Sequence, residues 1–590
     1  MIFYLAAIVA GWWQVAPKVL KSVRQMRADI NLLMTIAVIG AIAIGEYFEA
    51  ATVSFLYALS LLMESWSVGR ARRAIEALLD LKPLSARLVD GGVVTEVAVD
   101  EVRPGIRVRV HPGEKVPLDG TIVSGETSVD QSPITGESIP VAKSVGDEVF
   151  AGTINNEGAF EFRVSRGAHD TTLARIIHMV EQAQSRRAPV EQWIQTFARY
   201  YTPAMLTGAL LVAVVPPLVA GASWSHWLYS ALVMLVISCP CALLVSTSVS
   251  IMAALTSSAR VGVLIKGGVY LEIPAKLKAV ALDKTGTLTQ GRPEVQQVDP
   301  LNNHTPEELL ARAASLEQLS DHPLARAVVR RAEAMKIGTL PVRDFRIVQG
   351  RGAEAVLDGR PFWIGSHRYT HERADEPEIF HRKAVQYEEA GHSVIAVGND
   401  DHICGLISVA DQLRRGAPEA MTALKQGGVE HVVMLTGDNE GTARAVADIA
   451  GVDEYCAELL PGDKVAEVER LVNQYGIVAM VGDGVNDAPA LAAATVGIAM
   501  GAAGTDAAIE TADIALMSDD LGRLPWLVRH SRRTLRMIKT NVAFALGIKA
   551  VFMILAFLDL ATLWMAIFAD MGVTLLVVFN SLRLLNPRLR

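Results

Sequence analysis

ALDKTGTLT, residues 281–289, runs an apolar strand into an aspartate and follows it with lysine, threonine and glycine. A carboxylate at the C-terminal end of a parallel strand lies where open α/β sheets bind their ligands. It can attack the γ-phosphate of ATP and become an aspartyl-phosphate, or it can merely cap a loop. Two further stretches end in the same way. LTGDN (435–439) sets Asp438 after Thr436 and Gly437, and VGDGVNDAP (481–489) carries Asp483 and Asp487. Three acidic strand ends beside glycines that admit phosphate and Mg2+ are hard to explain by packing. KAVALDKTGT, HVVMLTGDN and GIVAMVGDGVNDA alternate with helical patterns over 278–290 and 405–520, which predicts a parallel α/β sheet. Between them, 292–404 reads as an insertion with its own helices and strands. It contains no GxxxxGK[ST] loop, so it is not a Walker-type ATP site. Upstream, 82–165 reads as a small β-rich unit, with alternating stretches such as VTEVAVDEV broken by Gly/Pro turns.

The chain has 590 residues, 51% of them apolar and 20% charged, with a mean hydropathy of +0.30. That balance excludes a wholly membrane-embedded protein and fits a membrane domain joined to large soluble ones. A net charge of −8 offers no basic surplus for nucleic acid, and no nucleic-acid motif stands out. Four cysteines, Cys239, Cys241, Cys404 and Cys456, are too sparse for a disulfide framework and suit reducing conditions. Apolar runs approaching the about 20 residues of a span fall at 31–46 with 47–66, 201–220, 227–248, 541–558 and 561–582. Met1–Val15 is shorter than a full span and, without the basic leader and clear cleavage site of a signal peptide, is not read as one; whether Met1 is the true start stays open. Lys18, Lys21, Arg24 and Arg27 follow it, and Arg70, Arg72 and Arg73 follow the second long span. The positive-inside rule puts both clusters, and with them 67–195 and 249–540, in the cytosol.

VISCPCALLVS, 236–246, places two cysteines around a proline inside an apolar run. In a continuous helix Cys239 and Cys241 would point to nearly opposite faces. Pro240 removes a backbone donor and frees carbonyls, so the helix is expected to break there and turn both sulfurs toward one task. Buried thiols packed as small hydrophobes are the alternative. Lys549, in NVAFALGIKAVFMILAF, and Asp570, in LWMAIFADMGVTLLVVFN, lie deep in apolar sequence, where charge is costly unless paired or functional. They could simply lock two helices together. Two thiolates, one carboxylate and one divalent ion sum to −1, which Lys549 cancels.

DKTGTLT, TGDN and GDGVNDAP, with TGES at 135–138, resemble the P-type ATPases, and the chain follows their order of parts from end to end. Cys-Pro-Cys ahead of the phosphorylation sequence resembles the heavy-metal-transporting branch, and the Lys/Asp arrangement its zinc/cadmium/lead-exporting subgroup. The resemblance implies a multidomain α-helical membrane protein with three cytosolic parts: a β-rich actuator domain, a HAD-like α/β phosphorylation domain and an α+β nucleotide-binding insertion. Expected segments are transmembrane helices at 1–66, the actuator at 67–195, a helix pair with the CPC motif at 196–248, and a link into the phosphorylation domain at 249–291. The nucleotide domain follows at 292–404, the rest of the phosphorylation domain at 405–530, and a last helix pair at 531–590.

Residue roles are carried over on the same basis. Asp283 is implied to be phosphorylated, with Lys284, Thr285, Thr436, Gly437 and Asp438 around the phosphoryl group. Lys464, in PGDK, would neutralise its charge. Asp483, with Asp283 and Thr285, would hold Mg2+, and Asn486 and Asp487 would complete the site. Glu137 of TGES would be the general base for hydrolysis. LEQLSDHPLARAVV and VQGRGAEAV imply that Glu317, His322, Gly350 and Gly352 surround adenine and ribose of ATP. Cys239, Cys241, Lys549 and Asp570 would take the transported ion, Zn2+, Cd2+ or Pb2+, since thiolates select soft or borderline metals. Met34 could add a thioether or only fill a gap. Glu49 could receive the departing ion or only touch interfacial water.

The expected activity is ATP-driven export across the plasma membrane by a monomer, with metal ion and bilayer as partners. Cu(I) export is one alternative, and a membrane-tethered metal-responsive phosphatase or sensor is another. Family members usually begin with a Cys-x-x-Cys domain and two extra spans. Here there is no Cys-x-x-Cys and only part of that pair, which leaves the metal-delivery partner open.

Overall fold

In the computed structural model the first apolar runs fold as α1 (Ile2–Trp12), α2 (Ile30–Ala43) and α3 (Tyr47–Leu79). The structure describes residues 2–13, 30–79, 85–90, 93–135, 140–175, 188–320, 322–348, 351–373, 378–438, 440–483, 487–501 and 510–586, with isolated positions between them. Next come α4 (Pro189–Ala220), α5 (Trp224–Ile237) and α6 (Cys241–Arg260). The insertion carries α7 (Pro306–Glu317), α8 (Pro323–Ala334), α9 (His367–Arg373) and α10 (Glu378–Glu389). After α11 (Pro461–Tyr475), the chain closes with α12 (Arg523–Phe557) and α13 (Leu563–Leu582). It forms two compact units, Met1–Ala275 with Arg529–Arg590, and Lys276–Val528.

Among the described residues, four helical stretches are long and apolar enough to cross a membrane: Pro189–Ala220, Trp224–Arg260, Arg523–Phe557 and Leu563–Leu585. The expected spans 31–46 and 47–66 fall on α2, described over 14 residues, and on α3, a continuous helix of 33 residues that carries the second of them. The boundaries expected at 66, 195, 248 and 530 all fall inside continuous helices, α3, α4, α6 and α12. The reason is that helix formation depends on local hydrogen bonding, which does not stop where the apolar composition does. Leu33, Met34, Val53, Leu232, Val236, Cys239 and Ile567 belong to one buried apolar cluster. Leu210, Leu218, Val219, Ile554, Phe568 and Leu576 face outward on the spans, an apolar exposure that suits lipid.

The β-rich part of the first unit is a six-stranded antiparallel sheet, in the order Val93–Ala98, Ser85–Asp90, Arg107–Val110, Phe160–Val164, Gly120–Ser124, Glu148–Val149. Its core holds Val108, Leu118, Phe160 and Phe162. Asp119 pins its far end, accepting from Ala151 N at 2.8 Å and from Thr172 N at 2.7 Å. The second unit contains six parallel strands, ordered Ile514–Leu516, Val496–Ala499, Val478–Gly482, Ala279–Asp283, His431–Leu435, Glu454–Cys456. Ala279–Asp283 is buried at every position, which is why its sequence is continuously apolar. The insertion is a six-stranded antiparallel sheet that begins on Thr289–Pro300 and returns on Ile403–Leu413.

Candidate active site and metal site

Asp283 ends the central parallel strand, paired with His431–Leu435 on one side and Val478–Gly482 on the other. The loops bearing Asp438 and Asp483 therefore leave the sheet on either side of it. Asp283 is 5% exposed. Lys464, in the first turn of α11, places Nζ 2.5 Å from Asp283 Oδ1 and 2.8 Å from Asp487 Oδ1. Lys284 Nζ pairs with Asp438. Gly286 takes φ +73, and a Cβ there would come 3.8 Å from Asp483 Cβ, so the loop after Asp283 lies beside Asp483. Gly482 has no room for a side chain, because a Cβ would sit 2.7 Å from Asp487 Oδ2. Burial, then the Asp487 charge, push the Asp283 carboxyl up to about 6 although Lys464 opposes them. Asp283, Asp483 and Asp487 thus carry negative charge that one lysine does not neutralise, a donor set that suits Mg2+.

Thr285 is exposed at the mouth of this site. Thr436 is buried and its Oγ1 accepts from Asp438 N at 3.1 Å, so it shapes the Asp438 loop. Gly437 lies close to Leu459 O, 3.2 Å from where a Cβ would be. Glu137 and Asn486 lie outside the described residues. Two residues that the motifs do not single out hold the Asp283 loop. Arg414 donates to Gly286 O at 2.8 Å and Thr287 O at 3.0 Å. Asp411 accepts from Thr289 Oγ1 at 2.6 Å and Gly291 N at 3.0 Å. Their signal is DQLR at the return from the insertion, which is too short to identify alone.

In the insertion, burial pushes the Glu317 carboxyl up to about 7. A cleft of about 670 Å3 opens beside it, lined also by Ser320, Arg326, Arg330 and Glu333. His322 and Gly352 do not line that cleft. His322 caps α8, its Nδ1 accepting from Leu324 N at 3.3 Å. Gly352 begins the strand Gly352–Leu357, where a Cβ would collide with Ile364 O. Gly350 lies outside the described residues.

α5 ends at Ile237 and α6 starts at Cys241, so the helix breaks across Ser238-Cys239-Pro240 as the proline requires. The break brings the sulfurs of Cys239 and Cys241 together, and the structure joins them in a disulfide where the sequence leads to two thiols. Asp570, from α13, has a carboxylate oxygen within 4.8 Å of both sulfurs. Lys549, from α12, donates to Asp570 Oδ1 at 2.6 Å and to Ile237 O at 2.9 Å. In an unbroken helix that carbonyl would take the N–H of Cys241; the break hands it to the lysine. Both charged side chains are about one-tenth exposed. Ser238, in the break itself, donates its hydroxyl to Met234 O at 2.6 Å. Met34 is buried in the same apolar cluster as Cys239. Glu49 stands apart, accepting from Tyr229 Oη at 2.8 Å, and Tyr229 Oη in turn accepts from Leu563 N at 3.1 Å. Leu563 precedes Asp570 by seven residues, about 10 Å along a helix.

Residues 277–495 match the haloacid dehalogenase-like hydrolase family, and residues 80–181 match the P-type ATPase actuator domain. The chain is 46% identical over its whole length to a probable cadmium-transporting ATPase of Staphylococcus aureus (strain MRSA252), covering 82% of that protein. The chain belongs to the heavy-metal-transporting P-type ATPases. Across 99% of its length it is 41% identical to the zinc/cadmium/lead-transporting P-type ATPase of Escherichia coli (strain K12), of which it covers 79%. Among solved structures, a zinc-transporting PIB-type ATPase in an E2.Pi state is similar with a TM-score of 0.65 and 40% identity, over 99% of this chain and 95% of that one. As a member of this family the chain is an integral membrane protein with cytosolic domains.

Proposed function

We propose that this chain exports a soft divalent metal ion, Zn2+, Cd2+ or Pb2+, at the expense of ATP and by way of an aspartyl-phosphate on Asp283. The observation that carries the reading is the meeting of Cys239 from the break after α5, Cys241 from the start of α6 and Asp570 from α13, with the Lys549 ammonium closing on Asp570. In the reduced pair, two thiolates and the carboxylate bind a divalent ion with a residual −1 that Lys549 neutralises. Once the ion leaves, Lys549 compensates the carboxylate, so the empty site remains tolerable in lipid. Cu(I) demands fewer anionic ligands, and the carboxylate argues for a divalent cargo.

At the other site, ionised Asp283 attacks the γ-phosphorus of ATP, forming a carboxyl–phosphoryl bond as the bond to the ADP oxygen breaks. Lys464 holds the nucleophile by one oxygen and faces the charge that develops on the transferring group. Thr285 stands at the mouth to meet the phosphoryl oxygens. Asp283, Asp483 and Asp487 would hold Mg2+, which supplies charge neutralisation when bound. Glu317, beside its cleft, supports a nucleotide pocket in the insertion, and Glu137 is assigned the base that activates water against the phosphoenzyme. One chain supplies every group named, so a monomer at the plasma membrane suffices.

The test is metal flux into inside-out vesicles together with ATP hydrolysis. Zn2+ should stimulate both, and Asp570→Ala or Cys239→Ser should abolish flux together with the stimulated hydrolysis. Stimulation by Cu(I) alone would change the cargo. Stimulated hydrolysis without flux in the parent chain would favour a tethered sensor.

A further inference from the structure

Three histidines in the insertion converge far along the chain from the transport motif. His367 opens α9, His371 lies one turn later on the same face, and His381 comes from α10. Their ring centroids lie 5.1 Å apart for His367 and His371, 5.5 Å for His367 and His381, and 6.2 Å for His371 and His381. One ligand nitrogen from each falls within 4.8 Å of the others. His367 is buried against the Phe380 ring, and its Nδ1 faces Glu388 Oε2 at 3.1 Å. A carboxylate on one imidazole nitrogen is the arrangement by which proteins orient metal-bound histidines. His371 and His381 are exposed, so an ion can enter and keep a solvent molecule as fourth ligand.

We propose that His367, His371 and His381 form a second, cytosolic site for a zinc-class ion, separate from the transport path, whose occupancy ties α9 to α10. Another cluster, His304, His402 and Cys404, is less suited to a cation. There the Arg312 guanidinium donates to His304 Nδ1 at 3.1 Å and places a positive charge in the site. The three-histidine site also has a path to the rest of the insertion. Tyr369 of α9 donates to Glu354 at 2.6 Å, and Glu354 lies on the strand that begins at Gly352. A metal that stiffens α9 would therefore act on the strand expected to border the nucleotide.

The experiment uses the untagged full chain in detergent, with Cys239→Ser and Cys241→Ser to silence the transport thiols, so that its outcome does not depend on the proposed cargo. Zn2+ bound per chain is counted at equilibrium, and Co2+ is used as a spectroscopic probe. The doubly substituted chain should retain one equivalent, with a Co2+ spectrum free of thiolate charge-transfer bands, so that neither Cys404 nor Cys456 is a ligand. His371→Gln with His381→Gln should remove that equivalent while leaving the far-ultraviolet circular dichroism and melting temperature of the metal-free chain unchanged. If the doubly substituted chain binds no Zn2+, or if its Zn2+ survives both histidine substitutions or shows thiolate bands, the histidines do not hold the ion and the proposal falls.

Discussion

Asp283 must be buried so that its phosphoryl group is shielded, yet ionised so that it can attack. Burial and the neighbouring Asp487 raise its carboxyl to about 6, while Lys464, 2.5 Å away, favours the charged form. For an acid raised in the folded protein, the attacking anion is present above that value and lost below it. Phosphoenzyme formation measured by rapid quench should therefore fall as pH drops through about 6, approaching tenfold per unit. Added Mg2+ favours the anion and should move that limb to lower pH. A rate that stays flat to pH 5 at limiting Mg2+ would show that Asp283 is not the titrating nucleophile. Asp283→Asn should leave no acid-stable phosphoenzyme at any pH.

Between α5 and α6 the decisive feature is the interruption itself. Residues two apart on a regular helix differ by about 200° in direction, so a healed helix would part the two sulfurs and reclaim the Ile237 carbonyl from Lys549. Pro240→Ala should lower Zn2+ affinity at least about tenfold, roughly 1.4 kcal/mol, read by equilibrium binding on the reduced protein. Unchanged affinity would mean that packing, rather than proline, holds the break. A second interhelical device lies along the same helices. Buried Asn541 of α12 donates to Ser246 Oγ of α6 at 2.9 Å and to Ser581 Oγ of α13 at 3.0 Å, and accepts from Asn580 at 2.7 Å. Asn541→Ala leaves those groups short of partners and should cost about 1–3 kcal/mol, seen as a lower melting temperature in detergent. Because Lys549 is two turns further along α12, metal-stimulated hydrolysis should fall with it.

At the level of the whole chain, the metal ligands belong to one compact unit and Asp283 to the other. Coupled transport requires that occupancy of one site change the affinity of the other, and linkage makes that change reciprocal. A tetrahedral phosphate analogue bound at Asp283 should weaken Zn2+ binding by a factor of about 5–150, and Zn2+ should weaken the analogue equally. Equal affinities with and without the analogue would mean that the two units act independently.

Legible in the residues alone were the parallel sheet, the three acidic strand ends, the helix break at Pro240 and the two charged residues within apolar helices. Each is a local pattern: a continuous apolar run for a strand buried on both faces, a proline that cannot donate, a charge with no water to meet it. The sequence also singled out Lys464, whose contact with Asp283 bridges 181 positions, but only through a family resemblance, since a lone lysine has no pattern of its own. Helix ends were less legible, because α3, α4, α6 and α12 run past the apolar segments that marked them. Tertiary structure alone decided that Lys549 takes both Asp570 and the Ile237 carbonyl, that Arg414 and Asp411 hold the loop after Asp283, and that three histidines from α9 and α10 face one point. These are meetings between elements, and which side chains meet depends on how helices and strands pack, information that no single stretch of sequence contains.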